Sequence, residues 1–265
     1  MKDKRRIVIK IGTSSLTFPN GKLNFQRIEK LVKVLFEVQR EGKEVLLVSS
    51  GAVAVGAGRL GLEKKPESLA EKQAMAALGQ AELIRIYQKF FEEHKQLVAQ
   101  VLLTKDAVTS SKKRQVAQEA LFTLTGMHII PIINENDTVS TEGIEFGDND
   151  TLSAYVSELV GADLLILLSD IDGLFSADPR SSPDAHIIQE VDDITPSIEA
   201  LAGGSKTSFS TGGMATKIAA AKICMESGID MVIANSINPA VIHEILGGEP
   251  VGTFFSFSKK LQMKA

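Results

Sequence analysis

Short apolar runs of strand length alternate with longer stretches of helical spacing along nearly the whole chain, and this alternation constrains the fold more than any other feature of the sequence. Strands and helices in that order build a parallel sheet covered on both faces. Arg6 to Ile11 reads as a strand, Asn24 to Arg40 as a helix with apolar residues at Ile28, Leu31, Val32 and Leu35, and Glu44 to Val48 as the next strand. Helical sequence returns from about Ala70 to Phe91. It is followed by a strand at Leu97 to Leu103, a helix containing Val116 to Leu124, a strand at Ile129 to Ile133, a helix at Leu152 to Val160 and a strand at Leu164 to Leu168. Asp172-Gly173 and Asp178 to Pro183 carry turn chemistry and predict a hairpin excursion. A strand at Met231 to Ala234, a helix at Ala240 to Leu246 and a terminal strand near Thr253 to Phe257 complete the pattern.

The 265 residues suffice for one sizeable α/β domain or two closely packed halves, and no linker, repeat or low-complexity segment divides them. With 44% hydrophobic and 23% charged residues and a net charge of −4, the composition favours neither disorder nor a broad nucleic-acid surface. No apolar run reaches membrane-spanning length, and the basic N-terminus runs straight into a strand pattern without the apolar core of a signal peptide. The single cysteine, Cys224, excludes an internal disulfide and points to a reducing cytoplasm, with inert packing as its role.

Open α/β sheets bind ligands at the carboxyl ends of their strands, and here those ends carry polar segments. Lys10-Ile11-Gly12-Thr13-Ser14-Ser15 follows the first strand, Ser49-Ser50-Gly51-Ala52 the second, Asn134-Glu135-Asn136-Asp137 the fourth and Ser169-Asp170 the fifth. A further segment, Ser210 to Lys217, opens an alanine-rich helix with two glycines, small hydroxyls and a lysine about one turn in, the equipment for terminal phosphates. Its spacing excludes a Walker-type loop. Lys10 can lie over phosphates cradled by Gly12, or reach solvent as an ordinary strand lysine. The acidic and amide groups of Asn134 to Asp137 and Gly147 to Asp150 can grip a zwitterion, while Asp148 or Asn149 can instead cap a helix beginning near Thr151. Gly56, Gly58 and Gly61 spell the dinucleotide fingerprint, but the first glycine lies several residues past its strand and Glu82 falls inside a helical pattern. A glycine-rich helix end or loop is the simpler reading, and a nicotinamide-dependent dehydrogenase would rest on those letters alone. His94, His128, His186 and His243 show no spacing for a metal or a base-nucleophile pair, so any chemistry here works without histidine.

Taken together, Lys10-Ile-Gly-Thr-Ser, Val48-Ser-Ser-Gly-Ala, Pro131-Ile-Ile-Asn-Glu-Asn-Asp, Phe146-Gly-Asp-Asn-Asp, Ser169-Asp-Ile-Asp-Gly-Leu, Ala177-Asp-Pro-Arg and Thr211-Gly-Gly-Met-Ala-Thr-Lys closely resemble the amino acid kinase family, from about Val8 to Phe255. The resemblance implies a three-layer αβα sandwich around a mainly parallel, roughly eight-stranded sheet. It implies one domain over residues 1–258, glutamate in its N-terminal half and ATP in its C-terminal half, with 259–265 as a tail. Within the family the Asn-Glu-Asn-Asp, Gly-Asp-Asn-Asp and Thr-Gly-Gly-Met blocks belong to the members that phosphorylate the γ-carboxylate of L-glutamate, giving γ-glutamyl 5-phosphate and ADP at the start of proline synthesis. The alternative is a relative acting on acetylglutamate, aspartate, carbamate or UMP. A non-catalytic amino-acid sensor would have lost Lys10, Lys217 or Asp150, and all three are present.

Carried over residue by residue, the resemblance makes Lys10, Lys217 and Asp150 catalytic, the two lysines flanking the phosphoryl group and Asp150 orienting them. Ser50, Gly51, Asp137 and Asn149 hold glutamate. Lys10, Gly12, Ser169, Asp170 and Thr211, Gly212, Gly213, Met214, Ala215, Thr216 and Lys217 line the ATP site, with Mg²⁺ held mainly through the nucleotide phosphates and no dedicated protein metal ligand. Proline is the implied feedback inhibitor and the implied state a homo-oligomer, with neither nucleic acid nor membrane as partner. Many members carry an additional C-terminal RNA-binding-like domain. The sequence stops near where it would begin, so effects attributed to that domain are expected to be absent. Phe175 stands where a tyrosine is frequent, which puts a hydroxyl contact to the nucleotide there in question.

Overall fold

The computed structural model describes residues 1, 3–18, 22–62, 64, 66–139, 149–179, 182–201 and 213–257. Among these, strands β1 (Arg6–Ile11), β2 (Glu44–Ser49), β3 (Val98–Leu103), β4 (Ile130–Glu135), β5 (Leu164–Ser169), β6 (Glu190–Val191), β7 (Asp230–Asn235) and β8 (Thr253–Phe255) form one sheet in the order β3-β4-β2-β1-β5-β7-β8-β6. The pairs from β3 across to β7 are parallel, β8 is antiparallel to β7, and β6 is parallel to β8. The helices are α1 (Thr13–Leu16), α2 (Phe25–Arg40), α3 (Ala52–Leu60), α4 (Leu69–Glu92), α5 (Lys105–Thr109), α6 (Ser111–Gly126), α7 (Asn149–Val160), α8 (Pro196–Leu201), α9 (Met214–Ser227) and α10 (Val241–Gly247).

The pleat of each strand sorts its side chains onto two helical layers. Ile7, Ile9 and Ile11 of β1 pack with Leu31 and Leu35 of α2, Leu83 and Ile86 of α4, and Ile242 and Ile245 of α10. Val8, between them, faces the other way with Leu152 and Val156 of α7, Leu121 of α6 and Ile218 and Ala221 of α9. The expected αβα sandwich is therefore present, with the central strands of its sheet buried on both sides. The central strand β5 is buried at every position, which is why its sequence is an unbroken apolar run and not an alternating one. Parity decides which layer each polar strand end meets. Lys10 shares the face of Val8 and so points toward α7 and α9, whereas Ser49 and Asn134 share the face of Leu47 and Ile132 and point toward α4.

Several boundaries differ from the sequence reading. Strand β4 continues through Asn134 and Glu135, because both backbone units still pair with β3. Helix α7 begins at Asn149, two residues before Thr151, and the terminal strand β8 stops at Phe255. The short elements α1, α5, α8 and β6 carry too few residues for a periodic signal. The hairpin excursion is present: Phe175 bridges Ile187 antiparallel, and the amides of Ser176 and Ile188 donate to the carbonyls of His186 and Leu174.

The dinucleotide-like glycines lie in helix α3 and not in a phosphate loop. Gly56 packs so tightly on α4 that a Cβ there would stand 2.0 Å from the Met75 carbonyl oxygen, and the reciprocal Gly79 would place one 1.8 Å from that of Ala52. Gly61 ends the helix at φ 66°, where a side chain is strained. A helix of alanine, glycine and valine gives no amphipathic stripe, so close backbone packing defines it instead. Gly56→Ala gains about 1 kcal/mol of helix propensity, but overpacking against backbone costs about 1–3 kcal/mol or more and wins. Urea denaturation is expected to show a net loss of stability for Gly56→Ala and none for Gly126→Ala, whose added Cβ meets nothing.

Candidate active site

At the C-terminal end of β1, where the strand order turns outward to β2 on one side and β5 on the other, the Lys10 ammonium lies 2.5 Å from Asp150 Oδ1. This is the crevice position at which open α/β sheets bind ligands. Lys217 Nζ, from the first turn of α9, donates to Asp150 Oδ2 at 3.0 Å. The Thr216 hydroxyl reaches the same oxygen at 3.0 Å. All three charged residues are buried, at 4%, 1% and 4% exposure for Lys10, Asp150 and Lys217.

Burial pushes the Asp150 carboxyl upward, but the Lys10 and Lys217 ammoniums outweigh it and hold the group well below the usual carboxylate range. The start of α7 adds favourable helix-dipole potential. The stabilisation from this depressed carboxyl is complete above the ordinary aspartate range and is lost only as pH falls through its lower folded value. The three side chains sum to one positive charge. Gly213 begins α9 without a side-chain cap, so partial positive charge from its N-terminal amides is added at the same place. The arrangement is suited to an anion.

A second polar group begins at the very next residue. Asn149 Nδ2 donates toward Ser50 Oγ at 3.0 Å, the Ser49 carbonyl at 3.1 Å and Asn134 Oδ1 at 2.8 Å. Its amide is thus committed to the strand ends of β2 and β4 and does not act as a helix cap. Gly51 follows Ser50 at φ 104°, a conformation that only glycine adopts easily, and turns the chain from β2 into α3. Asp137 lies half-buried in the turn after β4, and burial pushes its carboxyl up to about 6. An incoming cation would reverse that shift.

Two neighbouring positions on α7 therefore join two polar groups, Asn149 the one around Ser50 and Asp150 the one between the lysines. Gly12 lies beside the second, its added Cβ falling 3.8 Å from Lys10 Nζ. Ser169 ends β5 on the same side of the sheet. Its carbonyl accepts from Ser236 N at 2.7 Å, Ser236 Oγ accepts from Ser15 at 2.5 Å, and its hydroxyl donates to the exposed Asp170 at 3.2 Å. Met214 and Ala215 form the opening turn of α9. Thr211 and Gly212 lie outside the described residues, as does Asp148.

Asn134 belongs to the segment the sequence marks for a zwitterion, whereas its partner Gln80 was not singled out by sequence. Asn134 Nδ2 donates to Gln80 Oε1 at 2.8 Å, and both are buried. The available signal was a polar residue on the apolar stripe of α4, between Ala76, Leu83 and Tyr87. The histidines lie elsewhere: His94 stacks on Phe36, His186 contacts Ser176, and His243 contacts Glu37. Cys224 is buried in the core, and burial pushes its thiol up, away from reactivity.

A parallel sheet that delivers two buried ammoniums, their shared carboxylate and an uncapped helix start to one crevice suits transfer of an anionic group from a nucleotide. The chain belongs to the amino acid kinase family, whose sequence pattern matches residues 5–235. It is 52% identical over 263 residues to a glutamate 5-kinase of Clostridium perfringens, covering 98% of each chain. With a glutamate 5-kinase of Listeria monocytogenes it shares 51% identity, over 98% of this chain and 96% of the relative. Among solved structures, an isopentenyl phosphate kinase of T. acidophilum matches with a TM-score of 0.64 and 19% identity over 94% of this chain and 99% of its own, a likeness of fold.

Removing one partner from a buried ion-pair network costs about 3–5 kcal/mol, because charge is left uncompensated. Asp150→Asn leaves two ammoniums facing one neutral amide. Chemical denaturation is expected to show a loss of that order, partly recovered when Lys217→Met removes one of the stranded charges.

Proposed function

We propose that the chain transfers the γ-phosphoryl group of ATP to the γ-carboxylate of L-glutamate, forming γ-glutamyl 5-phosphate and ADP, the activated acyl phosphate that opens proline synthesis. The observation that carries this reading is the adjacency of Asn149 and Asp150, which joins a cluster of amides and hydroxyls to a pair of lysines. The sequence relatives named above support glutamate as the acceptor.

In this reading Asp137 and the Asn149 carbonyl accept the substrate ammonium, and Ser50 and the Gly51 turn fix the α-carboxylate end. The γ-carboxylate, with a reference pKa near 4.3, is already an anion at neutral pH, so no general base is needed. One of its oxygens attacks the γ-phosphorus while the bond to the bridging oxygen of ADP breaks. Acceptor, transferred group and leaving group are all negative, so positioning and neutralisation supply the catalysis. Lys10 and Lys217 provide compact charges on either side of the phosphoryl group, and Asp150 holds both at fixed distance. Mg²⁺ would arrive on the nucleotide phosphates and contribute further neutralisation. The donor set fits that route, since the groups around the triad are cationic and hydroxylic and complement phosphate oxygens.

Proline retains an α-carboxylate and an ammonium nitrogen and would compete for the pocket around Ser50, Asp137 and Asn149. A cytoplasmic homo-oligomer completes the proposal, supported by the single cysteine and by exposed Leu97 and Leu102 along the sheet edge at β3. No helix among the described residues is long and apolar enough to cross a membrane.

The deciding experiment measures ADP release with hydroxylamine present to trap the acyl phosphate. L-glutamate is expected to give a hydroxamate and N-acetylglutamate to be a poor substrate; equal specificity constants would remove Asp137 from the ammonium. In the same assay Lys10→Ala and Lys217→Ala are expected to lower kcat about 10²–10³-fold with little change in KM for glutamate. Near-normal kcat in both folded variants would take the lysines out of the chemistry.

A pH profile tests the acceptor pocket separately. Below about pH 6 Asp137 becomes neutral in the free protein and loses its attraction for an ammonium. Hence kcat/KM for glutamate is expected to fall as pH drops through that value, while kcat at saturation holds. Asp137→Asn should flatten the profile and raise KM. Protein stability should not fall with it, because burying the Asp137 charge is unfavourable above about pH 6 and that cost is relieved on protonation.

A further inference from the structure

We propose that Gln80, on helix α4 behind the acceptor pocket, is a positioning residue that orients the Asn134 and Asn149 amides and thereby sets affinity for glutamate. The inference rests on the functional reading above.

The amide orientations follow from groups that cannot exchange roles. The Glu135 backbone N–H lies 2.9 Å from Asn134 Oδ1, and a backbone N–H only donates, so that end of the Asn134 amide is its oxygen. Its nitrogen must then face Gln80, whose facing atom must accept and is Oε1. On the other side, the Ser49 carbonyl only accepts, so the Asn149 atom beside it is nitrogen. That nitrogen also donates to Asn134 Oδ1. Asn149 therefore has its oxygen left to offer an ammonium, in an orientation that the Ser49 carbonyl sets and the Asn134 oxygen reinforces. Gln80 and the Glu135 N–H hold Asn134 that way round from its two ends.

Gln80 itself has little freedom. The preceding residue, Gly79, is the one whose Cβ would stand 1.8 Å from the Ala52 carbonyl oxygen, so α4 is pressed against the start of α3 just beyond Ser50-Gly51. Seven residues along the same face, the Tyr87 hydroxyl lies 3.0 Å from Ser49 Oγ, and burial raises its pKa, keeping it neutral. Gln80 and Tyr87 thus back the strand ends of β4 and β2 from one helix. No hydrogen bond runs from Gln80 to Lys10, Asp150 or Lys217, and its influence should be confined to the acceptor side.

Without an acceptor at position 80 the Asn134 nitrogen is left unsatisfied in a buried place, and only the Glu135 N–H still holds the amide. Each turn of that amide would set two nitrogens face to face and leave Asn149 with its Ser49 and Ser50 contacts alone. The test uses the full chain in the hydroxamate assay with wild type, Gln80→Met, Gln80→Glu, Asn149→Ala and the double variant Gln80→Met/Asn149→Ala, each checked by thermal denaturation. Gln80→Met is expected to raise KM for glutamate about tenfold, the scale of one unsatisfied buried donor, with kcat and KM for ATP within about twofold. Gln80→Glu, which keeps an oxygen acceptor, should rescue most of the loss. In the double variant Gln80→Met should add little to Asn149→Ala. Should Gln80→Met not fold, Gln80→Ala takes its place in the same comparison. Equal rises in both KM values, no rescue by Gln80→Glu in a folded protein, or independent multiplication in the double variant would overturn the proposal. So would an unchanged KM for glutamate. A wild type that turns over ATP with glutamate keeps the functional reading intact in each of those cases; one that does not overturns both.

Discussion

The buried carboxylate of Asp150, shared by Lys10 and Lys217, is the interaction on which the rest of the site depends. Three charged groups removed from water carry a desolvation penalty of several kcal/mol each, and close geometry is what makes such a cluster tolerable. The three come from distant parts of the chain, the end of β1 and the first turns of α7 and α9. The cluster thus fixes the junction of two helices with the sheet, and it keeps two like charges beside one another where water alone would let them separate. A phosphoryl group in flight needs that concentration of positive charge already in place, since charges that must assemble during the reaction add to the barrier.

Strand parity turns this cluster into one half of a two-sided site. Residues of opposite parity at the strand ends feed different helical layers: Lys10 meets α7 and α9, whereas Ser49 and Asn134 meet α4. Asn149 crosses between the layers over the edge of the sheet, because the first turn of α7 projects past the strand ends. One side therefore gathers ammoniums and a helix start, the other amides and hydroxyls. A single sheet provides both environments.

Legibility in the sequence followed burial and locality. Strands β1, β2, β5 and β7 were readable because burial on both faces leaves nearly continuous apolar runs, and α2 because one face is apolar and the other charged. Helix α3 was not, since its packing uses the absence of side chains at Gly56 and so leaves no hydrophobic spacing. Lys10 and Lys217 stood out locally, each beside glycine and small hydroxyl residues. The Asn134, Asn149 and Gln80 contacts did not, because their partners are brought together only when α4 and α7 dock on the sheet. A buried glutamine also resembles a surface one in a helix whose stripe is otherwise apolar. Sequence assigned Asn149 a capping alternative for the same reason: capping is a local service, and its actual partners are Ser49, Ser50 and Asn134, far along the chain.

The succession of Asn149 and Asp150 on one turn makes α7 a ruler. In the proposed function, the group that receives one end of an acceptor and the group that positions the phosphoryl donor are joined by a single peptide unit of fixed length. On that proposal an acceptor anchored at Asn149 must carry its reactive oxygen a set distance. A homologue one methylene shorter would anchor equally well and stop short of the phosphorus, and a misplacement of about 1 Å is enough to cost a hundredfold in rate. Selection by length would then appear in turnover more than in binding. Insertion or deletion of one residue at this turn would swing the two side chains around the helix and break the measure while leaving every individual group intact.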